Sequence, residues 1–192
     1  MSDRSQDLEG MRAELLEVVR AKAVRHFDEP VELSSGRLSR DFVDVKRGLA
    51  RGADLRLGCA VMAQMVSATG VQFNAVGGMT LGADQFSHGV AAYLDGDCEW
   101  FVVRKKPKGR GTDQLIEGSH LDASSRVLLV EDAVSTGGSI QEAYRHVVDT
   151  GATVVAASTM IDRGDVAAAF FESRGVTYVP VFTYADVGID PI

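Results

Sequence analysis

The chain has 192 residues, enough for one domain with a substantial core and too few for two full-sized ones. Its hydrophobic content of 45% and charged content of 24% are those of a soluble globular protein, and its net charge of −7 argues against nucleic acid as the main partner. No apolar run approaches the roughly 20 residues of a membrane helix. The polar start Met-Ser-Asp-Arg-Ser-Gln-Asp does not read as a signal peptide. Cys59 and Cys98 stand far apart without metal-ligand spacing, and read as free thiols in a reducing cytoplasm.

Helical spacing of Leu8, Met11, Leu15, Val18, Val19 and Ala23 predicts a helix from Asp7 to about His26. Val31 to Val45 reads as two short strands around a Ser34-Ser35-Gly36 turn. A second helix follows from Asp54 to Ala68, stopped by Gly70, with Cys59 as a small core residue. Asn74 to Asp84 gives a short apolar strand and a glycine-rich turn, and a helix runs on to about Tyr93. Asp95-Gly96 is a turn, and Trp100 to Val103 is the next strand.

There the charge reverses. Arg104-Lys-Lys-Pro-Lys-Gly-Arg-Gly111 holds five positive charges in eight residues of an acidic protein. Its glycines and proline suit a mobile loop, and its charge suits a clamp on a polyanion such as pyrophosphate. The segment Thr112 to Gly118 continues that loop.

The most informative stretch is Arg126 to Ser139. An apolar strand, Val127 to Val130, is followed at once by Glu131 and Asp132, then by Ala133-Val134-Ser135-Thr136-Gly137-Gly138-Ser139, and a helix runs to about Thr150. Glycines admit backbone N–H groups close to a phosphate, and a helix N-terminus adds unpaired donors. Carboxylates beside a phosphate cradle make sense if they face ribose hydroxyls or a bound Mg²⁺. Neither G-x-G-x-x-G at this turn nor a P-loop anywhere is present. Thr153 to Ile161 is a further buried strand ending at Asp162-Arg163-Gly164, where an Arg suits an anionic ligand. Asp165 to Arg174 reads as a helix and Val176 to Thr183 as the last strand. His26, His88, His120 and His146 are scattered and receive no role.

The stretch around Glu131-Asp132 resembles the phosphoribosyl-pyrophosphate (PRPP) signature of the type I phosphoribosyltransferases. Leu33-Ser-Ser-Gly-Arg37 with Phe42-Val-Asp44 is similar to the N-terminal hood of the orotate phosphoribosyltransferases. The cationic loop resembles that family's Arg-Lys-x-x-Lys-x-His-Gly, with Arg110 at the His position. Asp162-Arg163, Ile116-Glu-Gly118 and Tyr184-Ala-Asp-Val-Gly188 also resemble it. Some members carry Lys at Ser34, an aromatic at Val43, and Lys in the turn after Asn74, and this chain carries none of these.

The resemblance implies an α/β fold, a mainly parallel sheet flanked by helices. A single domain spans 1–192, with residues to about 45 as hood and the rest as core. It implies Mg²⁺-dependent transfer of ribose 5-phosphate from PRPP to orotate, in pyrimidine biosynthesis. Lys105, Lys108, Arg110 and Asp132 would serve catalysis. Arg104, Lys105, Lys108, Arg110, Glu131, Asp132 and Ala133 to Ser139 would bind PRPP. Phe42, Ser135 and Arg163 would bind orotate. Mg²⁺ would be held mainly through PRPP, with no residue assigned as its direct ligand. A cytoplasmic homodimer is implied, the cationic loop reaching the neighbour's site. Transfer to another nucleobase, or a non-catalytic PRPP-binding regulator on the same fold, are the alternatives.

Overall fold

The computed structural model describes residues 2–32, 36–94, 96, 98–107 and 114–190. Helix α1 (Ser2–Lys22) leads into a two-stranded antiparallel hairpin, β1 (Val24–Glu32) with β2 (Leu38–Val43). The helix ends at Lys22, short of the expected His26. Val24, Arg25 and His26 pair with Val43, Phe42 and Asp41, so the strand ladder satisfies their backbone groups instead. The hairpin is accordingly longer on its first strand than Val31 onward suggests. Pro30 is accommodated because the register shifts between His26 and Val31. Ser34 and Ser35 lie outside the described residues.

A four-residue helix α2 (Val45–Gly48) follows, N-capped by Asp44, whose carboxylate accepts from the Arg47 N–H at 3.1 Å. Then come α3 (Gly52–Ala68), β3 (Ala75–Met79), α4 (Asp84–Leu94), β4 (Glu99–Val103), β5 (Ile116–Gly118), β6 (Arg126–Val134), α5 (Gly138–Val148), β7 (Thr153–Asp162), α6 (Val166–Glu172), β8 (Thr177–Tyr178), β9 (Phe182–Thr183) and α7 (Tyr184–Val187). The sheet runs β5-β4-β3-β6-β7-β8, with β9 also on β7. All pairings in it are parallel except β4 with β5.

Alternation along β6 assigns the two faces. Leu128 and Val130 join the core with Val19 of α1, Met62 of α3 and Phe86 of α4. Val127 and Leu129 join Ile140 of α5 and Phe171 of α6 on the other side. Both faces are thus covered, as a parallel sheet requires. Two strand readings need correction. β6 continues through the acidic pair to Val134, because β7 goes on pairing with it as far as Asp162. The last strand is two short pieces, β8 and β9, with Pro180 between them unable to donate to the ladder. Cys59 is buried, and both cysteines are free. Among the described residues no helix is long and apolar enough to cross a membrane.

Candidate active site

The chain winds outward in one direction from β3 to β4 and in the other from β6 to β7, so the strand order reverses between β3 and β6. In open α/β sheets the crevice beyond such a reversal is the natural ligand site. A cleft of about 430 Å³ lies there, lined by Lys46, Met79 to Gly82, Lys105, Glu131 to Ala133 and Ser139.

Its floor is the acidic pair. Glu131 is 5% exposed and Asp132 9%. Their carboxylates bend back to backbone amides. Glu131 Oε1 accepts from the Asp132 N–H at 3.2 Å, and Asp132 Oδ1 from the Ala133 N–H at 2.7 Å. Burial, reinforced by the Asp132 charge beside it, pushes the Glu131 carboxyl well above its ordinary value. Gly82, in the turn after β3, lies against both groups. A Cβ there would overlap Glu131 Oε1 and come within 2.7 Å of Asp132 Oδ1. The glycine of that turn is therefore required by close approach to the carboxylates.

Beyond Val134 the chain turns through Ser135 and Thr136 to Gly137, which caps α5 with φ of +74°. That left-handed conformation costs glycine nothing. No N-cap side chain bonds the helix's first amides, which leaves donors of the kind an anion cradle uses. Ser139, in the first turn of α5, lines the cleft.

Lys105 lines the cleft from the β4 end. Arg104 beside it is turned away, 3.6 Å from Glu117 of β5, while its backbone N–H donates to the Leu115 carbonyl at 2.7 Å. Lys108 and Arg110 lie outside the described residues. Arg163 is 4% exposed and stands at the other end, on the hairpin side. It donates to the Asp41 carbonyl at 3.2 Å, and to Ser39 Oγ and the Asp190 carbonyl at 3.4 Å each. Its Nε is buried without a partner. Burial draws its guanidinium below the ordinary value, against the charge of Asp41. Phe42 is half-buried on β2, next to Asp41. Asp162 fixes the turn that carries Arg163, accepting from Tyr178 Oη at 2.8 Å and the Gly164 N–H at 3.1 Å.

The residues expected from the sequence therefore form two groups: Lys105, Glu131 to Ala133 and Ser139 around the cleft, and Phe42 with Arg163 against the hairpin. Two contributors went unanticipated. Gly82 belongs to a turn whose place at a strand's carboxyl end suits a ligand, and which by resemblance lies against the pyrophosphate, but the sequence singles out no residue of it. Lys46 donates from Nζ to Asp132 Oδ2 at 2.5 Å. Burial lowers the Lys46 ammonium's pKa, but the Asp132 hydrogen bond and the charges of Asp132, Asp44 and Glu131 outweigh it, so the net shift is upward. A lone lysine after a hairpin carries no local signal of such a contact.

A family model described as the phosphoribosyl transferase domain matches residues 57–169. The chain belongs to the phosphoribosyl transferase family. The matched region takes in the turn at Gly82, the Glu131-Asp132 pair, the α5 N-terminus and Arg163. The chain is 38% identical over 179 residues to the orotate phosphoribosyltransferase of Mycobacterium tuberculosis H37Rv, covering 93% of this chain and 97% of that one. A crystal structure of that enzyme in complex with PRPP superposes with a TM-score of 0.76 at 35% identity, covering 93% of this chain and 99% of that one. A phosphoribosyltransferase from Corynebacterium diphtheriae superposes at 0.81 with 30% identity, over 94% and 99% of the two chains. The family model leaves out α1 and the hairpin, whereas these longer matches cover more than nine-tenths of the chain.

Proposed function

We propose that the chain transfers the 5-phosphoribosyl group of PRPP to orotate, giving orotidine 5′-phosphate and pyrophosphate in pyrimidine biosynthesis. The observation that carries this reading is the buried Glu131-Asp132 pair, packed under Gly82 and one turn before the uncapped N-terminus of α5. It supports a site that takes a sugar and its phosphate together.

The chemistry follows from charge. The bond from ribose C1 to pyrophosphate breaks, and its electron pair leaves on the phosphate oxygen. A ring nitrogen of orotate supplies the pair for the new bond. Positive charge develops on the ribose as the old bond lengthens, and the Asp132 carboxylate faces it. Negative charge develops on the leaving group, and Lys105 is the described loop cation at the cleft. Lys108 and Arg110 extend that charge along the same segment. The first amides of α5 suit the 5′-phosphate. Arg163 offers a buried guanidinium to the carboxylate of orotate, with Phe42 on the same hairpin strand as its partners Ser39 and Asp41 for the ring. No covalent nucleophile is required, and positioning with charge neutralisation suffices.

Among the described residues no group of three or more acidic, His or Cys side chains could hold a metal. Two adjacent carboxylates fit Mg²⁺ bound mainly through substrate oxygens, with Glu131 and Asp132 as the residues that would hold it. When bound, the ion supplies positive charge against the pyrophosphate oxygens. By resemblance the reading extends to a cytoplasmic homodimer whose loop 104–111 reaches the neighbouring site.

A panel of bases tests the choice of substrate. With PRPP and Mg²⁺, pyrophosphate release is expected with orotate and not with uracil, adenine or guanine. Release with a purine and none with orotate would sink it.

A further inference from the structure

Among the described residues, the cation nearest the acidic pair comes from neither the loop nor the PRPP motif. Lys46 Nζ lies 2.5 Å from Asp132 Oδ2, and its side chain is 50% exposed against 13% for that of Asp132. Its backbone is fixed. Asp44 caps α2, and Val45, Gly48 and Leu49 around it are buried. Only the flexible side chain is free to move, with three donors on a four-carbon stem. The cleft wall it shares is the turn Thr80-Leu81-Gly82, which carries no cation of its own.

This arrangement has a consequence for a ligand that brings both hydroxyls and a polyanion. A ribose hydroxyl bound at Asp132 competes with Lys46 for the same oxygen. The displaced ammonium then stands on the side of the turn at Thr80 to Gly82, across the cleft shared with Lys105. We propose that Lys46 is a substrate-binding residue, which holds Asp132 in the substrate-free enzyme and passes to the pyrophosphate of PRPP when the ribose takes its place. The inference rests on the PRPP reading above and adds to it a residue outside the family's sequence motif.

The test is calorimetric titration of wild type, Lys46→Met and Lys46→Arg with Mg²⁺-pyrophosphate and with Mg²⁺-PRPP, together with the KM for orotate and the melting temperature of each ligand-free protein. Lys46→Met is expected to weaken Mg²⁺-PRPP roughly tenfold, the loss of one charge-assisted contact, and Mg²⁺-pyrophosphate, which brings no ribose to displace Lys46, much less. Lys46→Arg is expected to recover most of that loss. The KM for orotate should stay within about twofold, since Lys46 is not placed at the base. Unchanged PRPP affinity in Lys46→Met overturns the proposal. So does a loss that arginine fails to restore and that tracks a lower melting temperature, because a structural counter-ion would behave that way. If wild type binds both anions but consumes no orotate, the choice of base fails, and the Lys46→Met titration still decides this residue. Wild type that binds neither anion overturns both readings.

Discussion

Arg163 Nη1 donates to the backbone carbonyl of Asp41 at 3.2 Å, joining residues 122 apart in sequence. This contact ties the hairpin to the carboxyl end of β7 and sets the guanidinium against β2 at Asp41 and Ser39. Its Nε has no partner in the protein, so a donor remains for a ligand. Arg163→Met should raise the KM for orotate roughly tenfold or more, the scale of a lost charged hydrogen bond, and leave the KM for PRPP within about twofold. Steady-state kinetics with each substrate varied in turn decide it. Equal effects on both would mean that the contact only holds the hairpin in place.

Asp132→Asn keeps the shape of the pair and removes the charge proposed to face the ribose. The kcat/KM for PRPP should fall by about 100-fold, in the range for losing an electrostatic contact that strengthens in the transition state. Phe42→Ala should cost less than Asp132→Asn on the same measure. A comparable PRPP affinity in wild type and Asp132→Asn would remove Asp132 from the site.

Glu131 gives a pH prediction. Its folded value is raised above the ordinary 4.5, so the folded state holds its proton where the unfolded state has lost it. Stability attributable to this group is therefore present at low pH. It is lost as pH rises from about 4.5 through the raised folded value. Glu131→Gln removes that loss. The variant should melt roughly 2–4 °C above wild type at pH 8, about 1 kcal/mol, while its turnover falls. Melting curves between pH 4 and pH 8 should converge toward the acid end. A constant gap across that range would rule out the buried carboxyl as the cause.

Gly82→Ala places a methyl group where Glu131 Oε1 stands. The turn or the carboxylate must shift, at a cost of about 1–3 kcal/mol. PRPP binding should weaken with the folding stability, whereas Gly175→Ala, which meets nothing within 4 Å, should cost stability through its φ of +68° and leave PRPP affinity unchanged. Thermal melts paired with PRPP titrations separate the two.

Much of this site was legible because its chemistry is local. Val127 to Ser139 carries its strand, its carboxylates, its glycines and its helix start in one continuous run, and the fold keeps them in that order. Arg163 was legible for the same reason, at the end of a β-branched run. What escaped was set by pairing at long range. The helix reading ran past Lys22 because Ala23 continues the apolar spacing, and only the ladder to Val43, Phe42 and Asp41 pulls Val24 to His26 into a strand. Ile116 to Gly118 is too short to announce itself, and becomes a strand by pairing antiparallel with β4. Lys46 meets Asp132 across 86 residues, and nothing near it in sequence points there.

The most direct test follows orotate absorbance with purified protein, PRPP and Mg²⁺, beside Asp132→Asn. The account predicts loss of absorbance that requires both PRPP and Mg²⁺ and that is largely abolished in Asp132→Asn. No loss in wild type while PRPP still binds, or an undiminished rate in the variant, would contradict it.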